Sequence, residues 1–177
     1  MSPCEKVPEK DFLTYRKNHK TEYKYIINKV IVEIANLQKH YKIKNSIITR
    51  AAKEVLGKKF NGAKLSIAFV DNKEIKKLNN RYFNLNEVTD VIAFPLNNHK
   101  SALNGEIVVS VETAVDTAMK ENIDVEAEII LYVVHGLLHL LGYRDGDRND
   151  ARIMHEKESN ILKTLGYNVP TVEDGFQ

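Results

Sequence analysis

The sequence predicts an α+β fold, a small mixed four-stranded sheet packed by about five helices, with a metal site on a buried helix and the turn after it. Three observations carry this prediction. Short β-branched runs are interleaved with amphipathic segments along the chain. With 177 residues the chain is long enough to bury one core without staples. The segment Val125–Leu141 is apolar nearly all round, which suits a helix in the middle of a domain.

Each element has its own signal. Residues 1 to 24 are polar and mixed in charge, with Pro3 and Pro8, and read as a flexible extension. One domain over 25–170 and a tail over 171–177 complete the division. Val30-Ile31-Val32-Glu33-Ile34 is rich in β-branched residues and suits a strand. A helix from Tyr23 to Tyr41 competes, because Ile27, Val30, Ile31, Ile34 and Leu37 also fit its period, and periodicity leaves both open. Ile43, Ile47, Ile48, Ala51, Ala52, Val55 and Leu56 mark an amphipathic helix that Gly57 ends. Leu65, Ile67 and Phe69 alternate with their neighbours as a strand does. Asp71 caps the next helix, with Glu74 at the capping-box position and Ile75, Leu78 and Tyr82 on its apolar side. Val91–Phe94 is a short strand stopped by Pro95, and Glu106–Ser110 is another. A helix follows from Val111 to about Asn122. The last helix spans about Asn149 to Leu165 and carries Ile153, Ile161, Leu162 and Leu165.

Composition narrows the function. Cys4 is the one cysteine, so an internal disulfide and a cysteine-based zinc site are both excluded. No apolar run approaches a membrane span and no signal-like segment opens the chain, so a cytoplasmic protein with no membrane partner is expected. The net charge of +2 is too small to argue for a polyanion by itself. Lys58, Lys59 and Lys64, and Lys73, Lys76, Lys77 and Arg81, form two local basic clusters that read first as solvated faces.

The chemistry is carried by His135-Gly136-Leu137-Leu138-His139-Leu140-Leu141-Gly142-Tyr143-Arg144-Asp145. Two imidazoles four apart lie on one face of a helix. Buried without a partner, each would cost roughly 1–3 kcal/mol, and a shared divalent ion satisfies both. Gly136, which inside a helix costs about 1 kcal/mol relative to alanine, implies a close approach by something else. Asp145 lies just past the helix end, where a turn through Gly142 brings it back as third ligand. Asp147 and His155 are the alternatives, although His155 reads first as a surface position on the last helix.

This run resembles the signature of the YbeY family of metal-dependent endoribonucleases, His-Gly-x-Leu-His-Leu-x-Gly-Tyr-Asp-His. Leu78-Asn79 with Thr89-Asp90-Val91-Ile92-Ala93-Phe94-Pro95, Gly105-Glu106-Ile107 and Leu165-Gly166-Tyr167 are similar to its other blocks. The resemblance covers roughly residues 30 to 167. It implies an α+β fold, a zinc-like ion on three side chains, and cleavage of single-stranded RNA. It also implies partners in ribosomal RNA and the ribosome, with roles in small-subunit RNA 3′-end maturation and ribosome quality control. It favours the strand over Val30–Ile34.

Two departures stand out. Asp145 takes the place of the family's third histidine and Arg144 that of the preceding aspartate. The family's phosphate-contacting arginine falls on Phe83, with Arg81 two residues earlier as a substitute. A carboxylate ligand keeps the site competent and moves its preference from zinc toward harder ions; zinc remains the first choice, with manganese, nickel or iron as alternatives. In the expected mechanism His135, His139 and Asp145 hold the ion, and Arg81 and Arg144 balance charge on the phosphorane. Glu106 is the candidate proton carrier or support for a ligand, with a strand-end acid as its plainer reading. Asp90 reads as a turn or cap residue. A metallopeptidase lacks its usual base, since the position after the first histidine is Gly136. A non-haem iron oxygenase and a non-catalytic ribosome-associated factor are the other rivals.

Overall fold

A computed structural model describes residues 23–27, 30–57, 62–97 and 102–167. The elements in order are β1 (Tyr23–Ile27), β2 (Val30–Asn36), α1 (Asn45–Leu56), β3 (Lys64–Val70), α2 (Asn72–Phe83), β4 (Val91–Pro95), β5 (Asn104–Ser110), α3 (Val111–Glu121), α4 (Val125–Leu140) and α5 (Arg148–Leu165). The bulk of the extension (residues 1–22), the tail over 171–177, Cys4, Lys58 and Lys59 lie outside the described residues.

The strands form one mixed sheet in the order β1-β2-β3-β5-β4. The pairs β2/β3 and β3/β5 are parallel, while β1 and β4 run antiparallel at the two edges. The sheet therefore has five strands, not the four expected. The additional one, β1, pairs with β2 from Tyr23 opposite Ile34 to Ile27 opposite Val30. It is an edge strand whose Tyr23 and Ile26 are exposed, so its sequence lacks the buried alternation that marks an inner strand. In β2, Val30, Val32 and Ile34 are buried at every second position. That alternation decides for the strand over the competing helix.

Alternation also splits the core. One sheet face presents Val32, Ile34, Leu65, Ile67, Phe69, Ile107 and Val109 to α1 and α4. The other presents Ala68, Val70, Ile92, Phe94 and Val108 to Ile75 and Leu78 of α2. A third apolar cluster joins Ile130, Val134 and Leu138 of α4 to Met154, Leu162 and Leu165 of α5, so α4 is covered on both sides. This explains its lack of a polar face. Gly136 is explained as well. A Cβ there would lie 2.8 Å from Cγ2 of Val91 and 3.1 Å from Cγ2 of Ile107. The missing side chain lets α4 sit down on the sheet directly beside His135.

The caps set the ends. Asp71 accepts from the backbone N–H of Glu74 at 2.8 Å, as its spacing predicts. Asp147 accepts from the N–H groups of Asn149 and Asp150, both at 2.9 Å, and so starts α5. Tyr167 donates from its hydroxyl to Glu126 at 2.8 Å, and Arg50 donates to the Leu165 carbonyl, fastening the end of α5 to α4 and α1. Among the described residues, no helix is long and apolar enough to cross a membrane.

Candidate metal centre

The site is built at the C-terminal end of α4. Gly142 has φ 90°, a conformation glycine adopts without a Cβ penalty. Its N–H bonds to the His139 carbonyl at 2.9 Å, and the Tyr143 N–H bonds to the Leu138 carbonyl at 3.1 Å. These two bonds form a Schellman motif, with Tyr143 packed on the cluster that contains Leu138. The motif turns the chain back over the helix end. It aims the Tyr143 carbonyl at Nδ1 of His139, 3.1 Å away, and carries Asp145 over the two rings.

Three donor atoms then face one point. Nε2 of His135 and Nε2 of His139 are 3.0 Å apart, and Oδ2 of Asp145 is 3.6 Å from each. A tetrahedral ion with ligands at about 2.0–2.2 Å spaces them by roughly 3.3–3.6 Å, close to this triangle. The protonation pattern fits too. Nδ1 of His135 lies 2.7 Å from a carboxylate oxygen of Glu158, and Nδ1 of His139 faces the Tyr143 carbonyl. Both partners only accept, so both Nδ1 atoms carry a hydrogen, and it is Nε2 of each ring that faces the site. Two ring nitrogens and a carboxylate oxygen converging in this way make a donor set for a divalent cation, and His135, His139 and Asp145 are the group of this kind found among the described residues.

Electrostatics separate the two rings. Burial works against charge on His135, but the hydrogen bond and charge of Glu158, aided by Asp90 and Asp145, outweigh it and raise its pKa. Burial, followed by repulsion from His135, lowers that of His139. The side chains of His135 and His139 are 21% and 11% exposed and that of Asp145 37%, so the site opens toward solvent on the side of the acid.

The other expected residues are distributed unevenly. Arg144 is exposed on the exit turn next to Asp145. Arg81 lies on α2, which packs against the opposite face of the sheet, with its guanidinium 5.5 Å from the centre of the Tyr82 ring. Glu106 is buried on β5 between Gly105 and Ile107. Those neighbours meet α4, so strand alternation sends Glu106 to the face away from the metal centre. Strand alternation thus turns Glu106 away from the three candidate ligands, and Arg81 belongs to the helix on the other face of the sheet. Phe83, at the family's arginine position, stacks on Phe94 at 6.0 Å between centroids. Asp147 is occupied as the α5 cap, and Nδ1 of His155 lies 3.0 Å from Glu158. Asp90 accepts from the Thr89 hydroxyl at 3.0 Å where the chain enters β4, and its charge acts on both ligand histidines.

Glu158 was not anticipated. Its signal is an acid on the apolar stripe Met154, Glu158, Leu162 and Leu165 of α5, four and three apart. A second buried acid, Glu128, lies two turns before His135 on α4.

A model of the family described as Endoribonuclease YbeY matches residues 19–166. The chain belongs to the YbeY family. Among similar relatives, the protein named endoribonuclease YbeY from Finegoldia magna is 34% identical over 145 residues, covering 77% of this chain and 95% of its own length. Those of the same name from Carboxydothermus hydrogenoformans and Protochlamydia amoebophila are 37% and 38% identical over 140 residues. They cover 77% of this chain each, and 98% and 93% of their own lengths. A solution structure of a Thermotoga maritima protein superposes with a TM-score of 0.56 at 25% identity, covering 76% of this chain and 88% of the other. In this YbeY-family chain the two helical histidines and the exit turn are thus held by a fold that a solved structure shares.

Proposed function

We propose that this chain is a single-strand-specific metallo-endoribonuclease that hydrolyses phosphodiester bonds. Its role is in small-subunit ribosomal RNA 3′-end maturation and ribosome quality control, at the ribosome and in the cytoplasm. The name shared by its relatives supports the reaction class. The single observation that carries the reading is the triangle of His135, His139 and Asp145, with both Nδ1 atoms committed elsewhere.

Zinc is the first choice for the ion, and the Asp145 carboxylate extends acceptance to manganese and iron. A divalent ion held there supplies Lewis-acid polarisation of the phosphodiester and a nucleophile at neutral pH. The chain's own residues do the rest. The exit turn leaves the ligand point open on one side, where a strand of RNA gains access. Arg144 stands beside Asp145 and balances negative charge growing on the phosphoryl group. A peptidase reading is disfavoured by a specific contact. A side chain at position 136 would meet Val91 and Ile107 of the sheet, so no acid there could serve as the base.

The test is cleavage of a single-stranded RNA spanning a small-subunit 3′-end precursor, with an unstructured protein as control substrate. The expected result is RNA cleavage that chelation abolishes and that His139→Ala lowers at least about a hundredfold. Cleavage undiminished in His139→Ala, or cleavage of the protein substrate instead, contradicts the proposal.

A further inference from the structure

We infer that Glu158 is the positioning residue of the metal centre, the group that holds the Nδ1 hydrogen of His135 and thereby aims its Nε2 at the ion. The inference rests on the metal reading above and goes one layer beyond the three ligands.

The two ligand histidines are held differently. His139 is at the helix end, where the Schellman turn offers it a backbone carbonyl. His135 sits one turn earlier, where the helix's own carbonyls are engaged in its ladder. Its acceptor has to come from another element, and α5 provides it. Oε1 of Glu158 takes the Nδ1 hydrogen of His135 at 2.7 Å, while Oε2 lies 3.0 Å from Nδ1 of His155. Both oxygens are thereby committed, and the carboxylate cannot rotate away without breaking one contact.

Stability does not explain this acid. The Glu158 side chain is 4% exposed, on a stripe otherwise made of Met154, Leu162 and Leu165. An apolar residue would serve the α4–α5 seam as well or better, because replacing a buried ionic group by a hydrophobic one is often neutral or stabilising. What the acid adds is a fixed Nδ1–H and a fixed ring direction on His135, and supports of this kind typically change metal affinity by about 10–100-fold. His155, half exposed at the surface, steadies the far oxygen.

The experiment compares wild type with Glu158→Gln, Glu158→Leu and His155→Ala. Zinc affinity is read by competition with a chromophoric chelator, the cobalt-substituted visible spectrum reports the ligand set, and thermal unfolding is followed without metal. Glu158→Gln keeps an acceptor oxygen but not the charge, and is expected to lose roughly tenfold in affinity. Glu158→Leu loses up to about a hundredfold with an altered cobalt spectrum, while its metal-free melting temperature is unchanged or higher. His155→Ala is expected to lose less than about tenfold, since the bond to His135 survives. Affinity and spectrum like wild type in both Glu158 variants overturn the inference, and Glu158→Gln decides the matter if the leucine variant does not fold. Wild type that holds no stoichiometric ion overturns the metal reading and this inference together. An ion bound equally well by wild type and both variants overturns this inference alone.

Discussion

At residue 145 a carboxylate stands where the proposed site needs a third ligand, and its neighbours show how local that assignment is. Asp147, two positions on, is committed to the N–H groups that open α5. Asp145→Ala should therefore cut bound zinc from one equivalent to a small fraction, while Asp147→Ala keeps the ion and costs about 1 kcal/mol as a lost cap. Elemental analysis paired with thermal unfolding checks both. Glu128 gives a second test at this scale. Burial raises its pKa, and a hydrogen bond from Tyr132 offsets only part of that effect. The folded state therefore favours its protonated form. The resulting contribution to stability is present below the ordinary carboxyl pKa and lost as pH rises through the raised one. Glu128→Gln should raise the melting temperature at neutral pH, with the gain disappearing in acid. A gain that is the same at both ends of the pH range would show that charge is not the cause. The histidines were legible in the sequence because two imidazoles on an apolar helix need a shared partner. Glu158 was less so, because the helix that carries it meets α4 only through tertiary packing, which no local period reports.

At the scale of elements, α4 is held down by an absence. Gly136 lets the helix approach Val91 and Ile107, and His135 is the preceding residue. Gly136→Ala should destabilise the protein by about 1–3 kcal/mol through overpacking and weaken zinc binding as His135 shifts. Denaturant unfolding with and without zinc measures both effects. Gly105 contrasts with it. A Cβ there would meet one residue of α4, Leu140, 2.7 and 2.9 Å from its two methyls and 3.3 Å from its Cγ. The helices were legible from caps and periods: Asp71, Gly57 and Gly142 each mark a boundary that the structure keeps. The sheet was less so. The β2 run fits both strand and helix until its partner strands bury alternate residues, and β1 gains its place from pairing with β2 and not from a pattern of its own.

For the whole molecule, the central feature is a helix sandwiched between a sheet and another helix, with its C-terminal end left open. The sheet fixes the height of α4, and α5 fixes the rotation of His135 through Glu158. The exit turn, caught between a Schellman motif and the Asp147 cap, delivers Asp145. The three ligand atoms belong to one short stretch of sequence, yet their directions come from three layers. This division explains why the convergence of His135, His139 and Asp145 could be read from the sequence while Glu106 could not be placed. Which face of β5 an acid occupies is decided by the register of the sheet, and here that register turns it away from α4. The central claim is that His135, His139 and Asp145 share one divalent ion. An anomalous difference map of zinc-loaded crystals, collected at the zinc edge, tests it most directly. The account predicts one strong peak about 2.0–2.2 Å from both Nε2 atoms and an Asp145 carboxylate oxygen. A peak elsewhere, a peak ligated by Asp147 or His155 in place of Asp145, or no peak after loading would contradict it.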